Sequence, residues 1–116
     1  MAFDTSVVDR ARARRRRRLE RERQTTLSKL LGLLDQHGES LGISKAYVFG
    51  SVVRPERFGD ESDVDVAIEG TDAESFFRAM SLLSAALERP VDLIELCECH
   101  FADRIRERGI RWTRTL

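Results

Sequence analysis

Cysteine, proline and the larger aromatic residues are scarce in this chain: two cysteines, two prolines, one tryptophan and one tyrosine in 116 residues. Cys97 and Cys99 stand one residue apart, too close to bridge separate elements, so a disulfide scaffold is excluded and a reducing compartment, the cytoplasm, is expected. A structural zinc site needs four ligands, and no second Cys or His pair stands at finger spacing from Cys97, Cys99 and His100. No apolar run approaches the roughly 18 residues of a membrane-crossing helix, and no hydrophobic stretch follows the N-terminal arginines. A protein in solution, away from the membrane, is the expectation. Tyr47 and Trp112 are too isolated to form a stacking platform for single-stranded nucleic acid.

What the chain does have is aliphatic residues and charge. Val, Ile, Leu and Phe make up 32 of the 116 positions, enough to build a core, and the length suits one domain. Twenty basic and twenty acidic residues cancel overall, but not locally. Residues 1–24 hold nine arginines against Asp4, Asp9, Glu20 and Glu22, a net +5, which leaves the other 92 residues with eleven basic and sixteen acidic groups, a net −5. We read residues 1–24 as an arm, helical or disordered, and residues 25–116 as the domain. Five consecutive arginines would point to all sides of a helix. Such a run meets nucleic acid or an acidic protein when it has a partner and is a solvated tail when it has none.

Periodicity divides the rest into α, β, β, α, β, α. Leu27, Leu30, Leu31 and Leu34 recur at i, i+3, i+4, i+7, predicting a helix that ends at Gly38. Lys45–Phe49 reads as a strand stopped by Gly50 and Ser51, and residues 62–69 as a second, with Val64, Val66 and Ile68 on one face and Asp63 and Asp65 on the other. Thr71 and Glu74 have capping-box spacing before a helix on which Phe76, Met80, Leu83 and Leu87 repeat, with Phe76 and Phe77 assigned to the core. A third strand is expected over residues 91–96. Phe101, Ile105 and the Arg104–Arg108 segment predict a last helix closing at Gly109.

Chemistry concentrates between the first two strands. Asp63 and Asp65, at i and i+2, put two carboxylates on one strand face with Cα atoms roughly 6–7 Å apart, where they repel. A divalent cation reverses that sign, because Mg²⁺ takes one or two carboxylates and completes its shell with water and phosphate oxygens. Asp92, opening the third strand, could add a third carboxylate, as ligand or as the base for an attacking hydroxyl. Gly50 and Ser51, directly after a strand, present N–H groups and a hydroxyl to an anion, with Arg54 one turn on. Taken singly, each feature is more often a solvated face or an ordinary turn; the joint pattern, a phosphate cradle opposite a metal pair, is much more specific.

The run Val48-Phe49-Gly50-Ser51-Val52-Val53-Arg54, followed by Ser62-Asp63-Val64-Asp65-Val66-Ala67, resembles the minimal nucleotidyltransferases of the DNA polymerase beta superfamily, whose signature is Gly-Ser, a spacer, then Asp-x-Asp. The likeness covers roughly residues 27–109, since the Val91-Asp92-Leu93-Ile94 strand matches the third acidic position, and leaves out the arm. It implies an α/β (α+β) nucleotidyltransferase fold, a small mixed sheet flanked by helices. It further implies that Gly50, Ser51 and Arg54 hold the triphosphate of ATP and that Asp63, Asp65 and Asp92 form an acidic triad on Mg²⁺. Eleven residues separate Ser51 from Asp63 here, against a usual spacer of about ten, an excess that a surface loop absorbs at little entropic cost.

Small members of that family are encoded beside HEPN-type ribonuclease toxins. The resemblance therefore implies an antitoxin that transfers AMP from ATP to a toxin tyrosine. Size agrees: 116 residues build a nucleotide cleft and leave the acceptor's wall to a partner. Three rivals stand beside this reading: an antitoxin that acts by contact alone, an enzyme modifying a small molecule, although that class usually carries an extra helical domain, and a nucleic-acid-binding module driven by the arm.

Overall fold

The computed structural model describes residues 4–114; the first three residues of the arm and the last two of the chain lie outside the described residues. Arginine is a good helix former, and neither Gly nor Pro interrupts residues 6–31, so the arm and the leucine stripe join in one helix, α1 (Ser6–His37). It continues through residues 24 and 25 without a break. Glu22 accepts from Arg18 and Glu20 from Arg23 along its surface, while Leu30 and Leu34 bury its inner face.

Strands β1 (Lys45–Phe49), β2 (Val64–Glu69), β3 (Val91–Glu95) and β4 (Ile110–Thr113) form one mixed sheet in the order β3-β2-β1-β4. β1 pairs antiparallel with β2 and β4, and β2 pairs parallel with β3, the crossover being helix α2 (Ala73–Leu87). Strand alternation sends Val48, Val64, Val66, Ile68 and Leu93 to one face, where α1 and α2 cover them. Tyr47 and Ala67 look the other way, toward Leu96 and the short helix α3 (Ala102–Arg108), which contributes Ile105.

Several details differ from the sequence reading. Helix α2 is capped by Asp72, whose carboxylate accepts from the Ser75 N–H at 2.8 Å, while Thr71 turns its hydroxyl to Glu95 at 2.9 Å. A full negative charge at a helix N-terminus out-competes a hydroxyl one residue away. Phe77 is 61 % exposed, because adjacent helical residues point about 100° apart and Phe76 takes the inward direction. Strand β4 is an element the sequence pattern does not announce, four residues being too few for periodicity to register. Trp112 from β4 is buried and donates its indole N–H to the Asp35 carboxylate of α1 at 2.7 Å, latching the sheet edge to the helix. Trp112→Phe leaves most of the packing and removes this bond, so urea unfolding should show a loss of about 1–2 kcal/mol; an unchanged midpoint would mean the latch contributes nothing.

Candidate active site

The sheet register sets up the site. Phe49, the last residue of β1, lies opposite Asp65 of β2, and the chain leaves the sheet at the next residue, Gly50. Gly50 has φ +78°, and a Cβ there would overlap the Asp65 carboxylate. The position therefore requires glycine twice over, for its backbone and for the space that carboxylate fills. Residues Gly50–Val53 then wind into a single 3₁₀ turn, anchored by the fully buried Val52 and closed by the Arg54 N–H donating to the Ser51 carbonyl at 3.1 Å. Ser51 is half-buried beside the bend, and Arg54 is exposed.

On the other side of β2, Asp65 is the registered neighbour of Asp92 on β3. Parallel neighbours stand about 4.8 Å apart and point their side chains the same way. Val64, Val66, Val91 and Leu93 sink into the opposite face, which fixes both aspartates on the α3 side. Asp63 stands one residue ahead of β2 and is exposed, as is Asp92, whereas Asp65 is half-buried. Burial first, then the charges of Asp92 and Asp63, push the Asp65 carboxyl up to about 6. The three acids thus share one field, and among the described residues none of them pairs with a Lys or Arg.

Among the described residues no three acidic, His or Cys side chains gather into a complete metal cage. The arrangement instead fits a half-site: a hard cation of the Mg²⁺ kind binds one or two carboxylates and takes its remaining oxygens from water and substrate. A half-buried carboxylate with two acidic neighbours, packed against a bend that has no side chain, supplies the charge for such an ion.

Two features around this centre escaped the sequence reading. The first is a cavity of about 460 Å³ beside Gly50, walled by Phe49, Val53, Arg54 and, from α3, Arg104 and Arg108. The acids are not in its wall; Gly50 is the boundary between basic cavity and acidic patch. The i, i+4 spacing of Arg104 and Arg108, with Ile105 turned inward, was the available signal. The second is Arg89, between α2 and β3. Its Nη1 donates to the carbonyls of Gly59 at 3.0 Å and Ser62 at 2.7 Å, and its guanidinium lies 4.3 Å over the buried Phe58 ring. The Val64 N–H donates to the Pro90 carbonyl at 3.0 Å. Arg89 therefore ties the loop entering Asp63 to the segment entering Asp92, and the eleven-residue spacer is a closed, clamped loop.

Compared with protein families, residues 29–111 match the profile described as "Polymerase beta, Nucleotidyltransferase". The chain belongs to this nucleotidyltransferase family. Among solved structures the polymerase beta-type fold recurs in a protein assigned as a minimal nucleotidyltransferase, 20 % identical, with a TM-score of 0.65 over 76 % of this chain and 93 % of that one. It recurs in the toxin-antitoxin MntA-HepT, 22 % identical, TM-score 0.53, over 79 % of this chain and 73 % of the other. A toxin-antitoxin structure with AMP-PNP is 21 % identical, TM-score 0.55, over 78 % and 73 %. Against curated proteins the sequence has no significant match. At these identities the structural likeness speaks for the nucleotidyltransferase fold.

Gly50→Ala should cost at least about 1–2 kcal/mol, the price of a left-handed alanine, with the overlap on Asp65 added; chemical denaturation measures it, and a neutral result would refute the close packing. The Asp65 carboxyl binds its proton more tightly folded, at about 6, than at its ordinary 3.8, so its favourable contribution is complete below about pH 4 and is lost as pH rises through 6. In metal-free protein, Asp65→Asn should therefore raise stability at neutral pH, by about 1 kcal/mol once solvent screening is allowed for, and leave it unchanged near pH 4. Thermal melts at the two pH values in chelator check this; a loss at neutral pH would contradict it.

Proposed function

We propose that this nucleotidyltransferase is an antitoxin that uses Mg²⁺ and ATP to transfer AMP to a tyrosine of a cognate HEPN-type ribonuclease toxin. The observation that carries the reading is the Asp65–Asp92 register beside the Gly50 bend, which pairs an acidic patch with an anion-binding turn on one rim of the sheet. Support for the partner comes from structural neighbours described as toxin-antitoxin complexes, and support for the nucleotide from the neighbour holding AMP-PNP.

In this mechanism Gly50 and Ser51 hold the triphosphate by main-chain N–H groups and the serine hydroxyl, and Arg54 meets the charge that develops on the leaving pyrophosphate. Asp63 and Asp65, with Asp92 beside them, would hold the Mg²⁺, whose chemistry is to neutralise the triphosphate and keep it in line. Asp92 accepts the proton of the tyrosine hydroxyl. The tyrosine oxygen bonds to the α-phosphorus, the bond to the bridging oxygen breaks, and pyrophosphate leaves with that electron pair. Arg89 holds the loop that delivers Asp63.

With the toxin and ATP labelled at the α-phosphate, the wild type should label the toxin, and the Asp63→Asn, Asp65→Asn double variant should lose at least about a hundredfold in rate. Label on the toxin from the double variant would refute the metal assignment. In cells, Asp63→Asn should fail to protect against the toxin; equal protection would favour neutralisation by contact alone.

A further inference from the structure

The arginine arm plays no part in the reading above, and its internal contacts account for only some of its charge. Arg15 and Arg18 reach Asp60 at 3.3 and 3.0 Å, and Arg23 donates to the Val52 carbonyl at 3.2 Å. These three fasten α1 to the spacer loop. A different set, Arg10, Arg14, Arg17 and Arg21, recurs at i, i+4, i+7 and i+11, which places it on one helix face. Twenty residues separate Arg10 from the buried Leu30, about 200° around the helix, so this stripe lies opposite the packing face. All four are exposed, and among the described residues none lies within salt-bridge distance of a carboxylate.

The neighbouring acids are engaged elsewhere: Glu20 with Arg23, Glu22 with Arg18, and Asp9 with the Thr5 hydroxyl. Like charges at i, i+3 and i, i+4 repel on a helix, so the stripe opposes the fold that carries it. A polyanion removes that opposition. The helix is about 48 Å long, and it stretches the molecule to 65 Å along its longest axis against 28 and 24 Å across. The stripe therefore sits on a projecting rod, with Arg10 and Arg14 clear of the body and Arg17 and Arg21 exposed at the edge of a cavity that Pro55, Glu56 and Phe58 wall from the loop side.

We propose that this stripe binds duplex DNA, along the phosphate backbone and without sequence preference. The four guanidinium groups span about 16 Å of helix, and their regular spacing suits a line of phosphates better than the scattered carboxylates of a protein surface. Arginine can take a guanine edge from within the major groove, but a stripe on one face of a rod laid along the backbone meets phosphate oxygens, which carry no sequence information. Residues 4–24 contain no aromatic side chain, so the stacking that single strands require is missing. B-form DNA offers a continuous line of phosphates, one negative charge per about 1.7 Å of axis, along which the rod can lie. The arm acts independently of nucleotide transfer, so the test needs neither ATP nor Mg²⁺.

The experiment is fluorescence anisotropy of the full chain with a labelled DNA duplex of about 20 base pairs, beside the equivalent RNA duplex and single-stranded DNA, across salt. Four phosphate contacts predict that duplex-DNA affinity falls by about a hundredfold between 50 and 200 mM salt. A quadruple variant, R10Q/R14Q/R17Q/R21Q, should lose most of the binding and most of the salt slope, with circular dichroism showing the helix retained. Absence of duplex-DNA binding at low salt, equal binding by the quadruple variant, or tighter binding of the RNA duplex or the single strand would overturn the proposal. Equal competition by polyglutamate would assign the stripe to acidic proteins, and self-association that the variant abolishes would assign it to a second copy; either result also overturns it.

Discussion

Contact between the Asp65 carboxylate and the Cα of Gly50 is the constraint on which the site depends. A carboxylate can reach that far only because the bend carries no side chain, and the bend can form there only because glycine tolerates φ +78°. Acidic patch and glycine-serine turn are thereby built from directly abutting atoms at the ends of adjacent strands. The parallel pairing of β2 with β3 then adds Asp92 without any further device. Burial first, and then the charges of Asp92 and Asp63, hold the Asp65 carboxyl above its ordinary value, so the ionised site carries a cost that a bound cation would offset under the proposed function.

Much of this was legible in the sequence, for identifiable reasons. Strand β1 was read with its observed ends because an apolar stretch runs straight into Gly-Ser. The Asp-x-Asp alternation put both acids on one face, and Asp92 was found because a third strand opens beside it. The Asp65–Asp92 register was not legible, since periodicity says which face a residue takes and nothing of which neighbour it meets across a crossover. Arg89 left no pattern because it binds main-chain carbonyls, groups every residue possesses. Strand β4 was too short to show alternation, and Phe77 was placed in the core by composition when helix geometry had room for only one of two adjacent rings.

The two halves of the charge distribution serve different ends. Around the sheet, acidic residues dominate and cluster at the rim, while Arg54, Arg104 and Arg108 wall the cavity beside Gly50. Along α1 the arginines divide by face: some fasten the helix to the loop that delivers Asp63, and the exposed stripe starts at Arg10 and Arg14, clear of the body, and ends at Arg17 and Arg21 beside the loop. Loop order and arm attachment are consequently linked through Asp60, which Arg15 and Arg18 hold from α1, and through the neighbouring Gly59 and Ser62, whose carbonyls Arg89 binds.

The most direct test of the central claim is anomalous scattering from crystals grown with Mn²⁺ and a non-hydrolysable ATP analogue. The account predicts a metal peak between the Asp65 and Asp92 carboxylates, with the nucleotide's phosphates lying over Gly50 and Ser51. Nucleotide bound elsewhere, or a metal held away from both carboxylates, would contradict it.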